Sequence, residues 1–132
     1  GSQSYSSRAY QTQLVNFLQL QQQRAMQDTQ GEYCVLFDGN RFGVPNNCED
    51  SALPNNFENS YEGVSINDGY EGSIDLIPEF NKLYFNSLGC PVDSPGQECP
   101  GSSIQVTYIE SATSQQVCIE PQGYIHEGAC RE

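Results

Sequence analysis

From Tyr5 to Gln30 the chain carries neither glycine nor proline. Apolar side chains recur at Tyr10, Leu14, Phe17, Leu18 and Ala25, with Val15 and Met26 widening the stripe. That rhythm predicts one amphipathic helix over 5–30 with a single buried face, interrupted by a polar gap at Gln21. The opposite face is mostly Gln and Arg, which form helices well. Gly31 fits the left-handed residue that commonly closes a helix. Beyond it the pattern changes to short apolar runs between turn residues, so 32–132 reads as a β-body.

Within that body, Tyr33–Phe37 and Phe42–Val44 flank Asp38-Gly39-Asn40, and Asp-Gly between apolar runs predicts a β-hairpin. Pro45–Tyr61, with two prolines and five asparagines, has no period and is a loop. Gly63–Ile66 predicts a short strand followed by a turn at Asn67-Asp68-Gly69. Further strands are expected at Ser73–Ile77, Lys82–Asn86 and Ile104–Glu110, the last alternating cleanly as a half-buried strand does. Gly89–Ser103, rich in Gly and Pro, is expected to be irregular. Gln116–Glu120 and Tyr124–His126 form a closing hairpin across Pro121-Gln122-Gly123.

Composition narrows this picture. At 132 residues the chain is expected to form one domain, 1–132. Only 36% of residues are hydrophobic and there is no Trp, so the eight Tyr and six Phe must supply much of the core. A net charge of −12 with five basic residues argues against nucleic acid and anionic lipid as partners. No transmembrane run or signal peptide is evident. Gly1-Ser2 reads as a cloning remnant, and the abrupt helix start suggests a longer native helix.

Six cysteines in a small polar chain point to disulfides and an oxidising compartment; a zinc site is the rival, disfavoured by the lack of CxxC and by a single histidine. Of fifteen pairings, the sequential one is favoured: Cys34–Cys48, Cys90–Cys99 and Cys118–Cys130. Each would close a short loop, stabilising by about 3 kcal/mol in the loop-entropy picture.

Chemistry-bearing motifs are sparse. His126 has no nucleophile motif beside it and reads as structural. Asp50, Glu58, Asp68 and Glu71 are loose oxygen-ligand candidates for calcium, but their spacing follows no known calcium loop, and Asx-Gly pairs usually make turns. With no paired catalytic carboxylates at a recognisable spacing, no nucleophile elbow and no phosphate loop, the chain is not expected to be an enzyme or to need a cofactor.

Four segments carry a resemblance: VNFLQLQQQRAM (Val15–Met26), YCVLFDGNRF (Tyr33–Phe42), LYFNSLGCP (Leu83–Pro91) and VCIEPQGYIH (Val117–His126). In order and spacing they resemble type IV minor pilins and type II secretion pseudopilins, in the group of the H pseudopilin and the FimT-like minor pilins. The Gly-Cys-Pro and Glu-Pro-Gln-Gly-Tyr-Ile-His forms look most like minor pilins of the mannose-sensitive haemagglutinin pilus. The resemblance implies an α+β, pilin-like fold: one long N-terminal helix packed on antiparallel sheet built of hairpins, with disulfide-stapled loops. It implies assembly with other pilin subunits, at a filament or its tip, through Tyr5, Arg8, Tyr10, Leu14 and Phe17. It also implies inner-membrane anchoring by a preceding helix, then a periplasmic or extracellular pilus location. The family's cleavage site, apolar first half-helix and early Glu are not in this sequence, so assembly rests on the resemblance alone. DNA binding, known in some FimT-like members, is not carried over, because Arg41, Lys82 and Arg131 are scattered. The alternative is a secreted, disulfide-rich β binding module for carbohydrate or protein, with the helix as a cap.

Overall fold

The computed structural model describes residues 3–39, 41–54, 63–64, 72–110 and 113–130. The helix, α1, spans Gln3–Gln27. The Asp28 N–H still donates to the Arg24 carbonyl at 2.9 Å, but the Gln30 N–H turns to the Asp28 carboxylate at 3.1 Å. The helix therefore stops short of Gln30, because an aspartate offers the chain a local turn instead. Gly31 is not in the left-handed region, which corrects its expected capping role. It is needed for space: a Cβ there would lie 2.9 Å from both Asp28 Oδ2 and the Tyr33 ring, whose hydroxyl donates to Asp28 at 2.6 Å.

The strands are β1 (Tyr33–Asp38), β2 (Arg41–Gly43), β3 (Gly63–Val64), β4 (Ser73–Ile77), β5 (Lys82–Phe85), β6 (Pro91–Val92), β7 (Ile104–Glu110), β8 (Thr113–Ile119) and β9 (Ile125–Glu127). They form two antiparallel sheets, β3-β2-β1-β5-β6 and β4-β7-β8-β9. The α+β architecture with a helix on antiparallel sheet is thus present. The first hairpin forms as expected, with Asp38 opposite Arg41 and Gly39 at φ +66, where glycine bears no Cβ penalty. The expected strand at 63–66 is seen at Gly63–Val64, and the turn at 67–69 lies outside the described residues. β8 begins at Thr113, earlier than its apolar residues suggest, because Thr113–Gln116 complete the ladder with β7. The 89–103 segment is not wholly irregular: β6 pairs with β5, and Pro91 is tolerated because β6 is an edge.

One core joins all three layers. It gathers Tyr10, Leu14, Phe17, Leu18 and Ala25 of α1, Val35, Phe37, Phe42, Leu83 and Phe85 of one sheet, and Val106, Tyr108, Val117, Ile119 and Ile125 of the other. Tyr10, Leu14 and Phe17 are buried here, so the face assigned to neighbouring subunits is this domain's own core. The same side chains that fit an interface by periodicity fit a sheet equally well, and two sheets are present to cover them. The other face of β1 is also covered: Leu36 meets Leu53, and Cys34 packs with Tyr84, Val92 and Cys48. The strand is therefore apolar on both faces, which explains its continuous run.

Gln21 is not a gap in the stripe. It is 2% exposed, its amide donates to the Cys34 carbonyl at 3.0 Å, and its oxygen accepts from Arg24 at 2.9 Å. Replacing Gln21 with alanine removes a partner from a buried carbonyl and leaves a void. Stability should fall by about 1–3 kcal/mol. Urea unfolding checks this, and a loss within ~0.5 kcal/mol, the scale of a surface change, would contradict it.

Three disulfides close the fold: Cys34–Cys48, Cys90–Cys99 and Cys118–Cys130, the sequential set. They indicate an oxidising compartment such as the periplasm or the cell exterior. Among the described residues no helix is long and apolar enough to cross a membrane.

Candidate functional site

Among the described residues, a surface that gathers exposed apolar side chains lies at the foot of α1, where two turns meet. One turn follows β5. Asn86 Oδ1 accepts from the N–H groups of Leu88 at 3.0 Å and Cys90 at 2.9 Å, and its Nδ2 donates to the Gln97 carbonyl at 3.0 Å. The other turn joins β8 to β9, with the Gly123 N–H donating to the Glu120 carbonyl at 2.9 Å. Gln22 of α1 clamps the two, its amide donating to the carbonyls of Gly89 at 2.9 Å and Gly123 at 2.5 Å.

Glycine at 123 is required twice over. Its φ is +105, and a Cβ would lie 2.5 Å from the Gly89 carbonyl oxygen. Gly123→Ala is expected to cost about 1–3 kcal/mol and to displace the Gln22 clamp. A thermal melt, with loss of slow exchange at the Gln22 amide, checks it; an unchanged melting temperature would contradict it.

Around the clamp stand Met26, Leu88 and Tyr124, exposed by 52%, 71% and 64%. Among the described residues these are three of the five exposed large hydrophobic side chains, the others being Ile77 and Ile109. Tyr124 is held in place. Its ring stacks on His126 at 4.8 Å, and His126 bonds Glu120 through Nε2 and the Glu127 carbonyl through Nδ1, both at 2.9 Å. Beside Leu88 a cleft of about 260 Å³ opens between the end of α1 and the Cys90–Cys99 loop, lined by Asp28, Tyr33, Tyr84 and Gln97 among others. The Tyr33 hydroxyl, donating to Asp28, holds that carboxyl below the usual range, and giving its proton to that bond raises the tyrosine in turn.

Sequence reasoning missed this patch. Met26 widens the helical stripe by spacing, yet it lies at the edge of the buried face and points to solvent while the neighbouring Ala25 stays in the core. Leu88 and Tyr124 each adjoin a turn glycine, and that pairing is the signal that could have found them.

The other candidates resolve as follows. Arg8 is exposed, and Tyr5 lies in the first turns of α1. Asp50 accepts from the Asn47 N–H at 3.2 Å, closing a tight turn, while Glu58, Asp68 and Glu71 lie outside the described residues. Cys118, Glu120 and His126 bring potential metal donors within 4.8 Å of one another. The Cys118 sulfur is bonded to Cys130, which leaves two donors already bonded to each other, a poor fit to a metal centre.

The loop after the first hairpin is gripped by Arg41, which donates to the Pro54 carbonyl at 2.6 Å, the Leu53 carbonyl at 3.3 Å and the Asp38 carboxylate at 2.7 Å. Arg41, and then the Leu53 N–H, hold the Asp38 carboxyl below its ordinary value despite some burial. A depressed folded value means the stabilisation is present above the unfolded carboxylate range, near pH 4, and is lost as pH falls through the lower folded value. Asp38→Asn should therefore flatten the acid limb of a stability–pH curve and leave its slope above about pH 6 unchanged. Unfolding midpoints from pH 2 to 7 check it, and an unaltered acid limb would contradict it.

Compared with family models, curated proteins and solved structures, the chain has no match.

Proposed function

We propose that this chain is the globular domain of a type IV minor pilin or pseudopilin, a non-enzymatic subunit acting in the assembly or at the tip of a pilus of the mannose-sensitive haemagglutinin kind. One observation carries the reading. α1 is 25 residues long, seats one face across two sheets, and leaves Arg8, Thr12, Asn16, Gln19 and Gln23 exposed as a continuous stripe on the other. The stripe recurs every three or four positions, the spacing with which one helix packs along another. It takes over the role first assigned to Tyr10, Leu14 and Phe17, which are committed to the core. The full-length subunit would be anchored in the inner membrane by a preceding helix, and then carried into the filament.

The test uses the full-length protein in piliated cells. Asn16→Glu with Gln19→Glu should block incorporation into pili while leaving the melting temperature of the domain unchanged. A photocrosslinking residue at Gln23 should capture other pilins. Normal incorporation of the double variant would sink the reading.

The Met26–Leu88–Tyr124 patch favours a second reading, a secreted module that docks a protein or carbohydrate at the foot of the helix. Under it, Leu88→Ser with Tyr124→Ser abolishes ligand capture and the helix-stripe variant does nothing.

A further inference from the structure

The four-stranded sheet ends on β4, and that edge has the properties of a binding site. No described residue pairs with the side of β4 turned away from β7. A five-residue edge left unpaired by the described residues presents main-chain donors and acceptors that can pair with another strand. A shallow groove of about 470 Å³ runs beside it, lined by Ile74, Asp75, Leu76, Glu79, Phe80 and Asn81. Ile74, Leu76 and Phe80 are half-buried against the core and form an apolar floor. Asp75 and Glu79 are exposed, and among the described residues no basic side chain lines the groove.

We propose that the β4 edge binds an extended segment of another protein by strand addition, one in which apolar residues alternate with lysine or arginine. In an added strand successive side chains point to opposite faces. Those on the Ile74/Leu76 face lie over the apolar floor. Those on the other face lie beside Asp75, where a cation is favoured by both the local carboxylates and the net charge of −12. A second copy of this chain is the wrong partner. Antiparallel self-pairing about the middle of β4 sets Asp75 opposite Asp75 between two strongly acidic molecules. The site is remote in sequence from the α1 stripe, so it stands or falls separately from the pilin reading.

The probe is a labelled peptide of alternating valine and lysine, titrated by fluorescence anisotropy. Its controls are a block peptide of the same composition and the alternating peptide with N-methylated valines. The alternating peptide is expected to bind at least about tenfold more tightly than either control, and Asp75→Lys with Glu79→Lys to weaken it about tenfold. The β4 amides that point away from β7 should exchange fast in the free protein and slowly with peptide bound. Equal binding of the block peptide would mean charge attraction alone. Slow exchange of those outward amides without peptide would mean the chain already covers its own edge. Self-association at micromolar concentration would mean a second copy is the occupant. Each of these, or no binding at all, overturns the proposal.

Discussion

Tyr10→Ala is expected to lower the unfolding free energy by about 3–5 kcal/mol, the largest effect of any single truncation. Tyr10 has no exposed surface. Its ring stacks on Tyr108 of β7 at 4.0 Å and 11°, and meets Phe42 of β2 edge-on at 5.0 Å and 88°. One side chain from the helix thus touches a ring from each sheet, and truncation opens a void where three layers meet. Domains of this kind hold about 5–15 kcal/mol in total, so the variant should be near its unfolding midpoint in mild denaturant. Urea titration followed by far-ultraviolet dichroism reads the loss. Tyr10→Phe, which keeps the ring, should lose far less. If both variants lost equally little, below about 1 kcal/mol, this core would not be the centre of the fold.

The second large effect is expected from Cys34→Ser with Cys48→Ser, about 3 kcal/mol on loop-closure grounds for a separation of 14 residues. More than chain entropy is at stake. The bridge fixes the loop that lays Leu53 over Leu36, and it holds the Cys48 carbonyl where the Tyr84 hydroxyl reaches it at 3.2 Å and Lys82 also donates. Removing Cys118–Cys130 should cost less, since the described residues of the segment it tethers beyond β9 place no side chain in the core. Thermal melts of the two double variants rank them, and a reversed order would show that the loop over the five-stranded sheet is held by something other than its bridge.

These two cases also mark what could be read before any coordinates. The stripe Tyr10, Leu14, Phe17, Leu18 announced a helix with one buried face, because helical period depends on local sequence. It could not say what covers the stripe, because a sheet and a neighbouring helix bury the same side chains. The Asp-Gly hairpin and the alternating run 104–110 were legible for the same local reason. The cysteine pairing was legible because adjacent partners form the shortest loops. The division into two sheets was not, since strand order depends on contacts between residues far apart, such as Cys34 with Tyr84 and Ser73 with Ile109. Gln21 misled because polarity marks exposure only when no partner is within reach, and Cys34 offers a carbonyl there. The patch at the foot of α1 was hidden for a related reason, since Leu88 and Tyr124 meet only when two distant turns are clamped by Gln22.

The three bridges share one property with mechanical meaning. Cys34–Cys48 and Cys90–Cys99 lie within the territory of the five-stranded sheet, Cys118–Cys130 lies within that of the other, and α1 carries no cysteine at all. A pull applied at the amino end therefore reaches the sheets through noncovalent packing and through the single backbone link from Gln27 to Tyr33. No covalent shunt relieves the helix of load. Under tension the seam between helix and sheets is the element that yields, while each stapled loop travels intact with its own sheet.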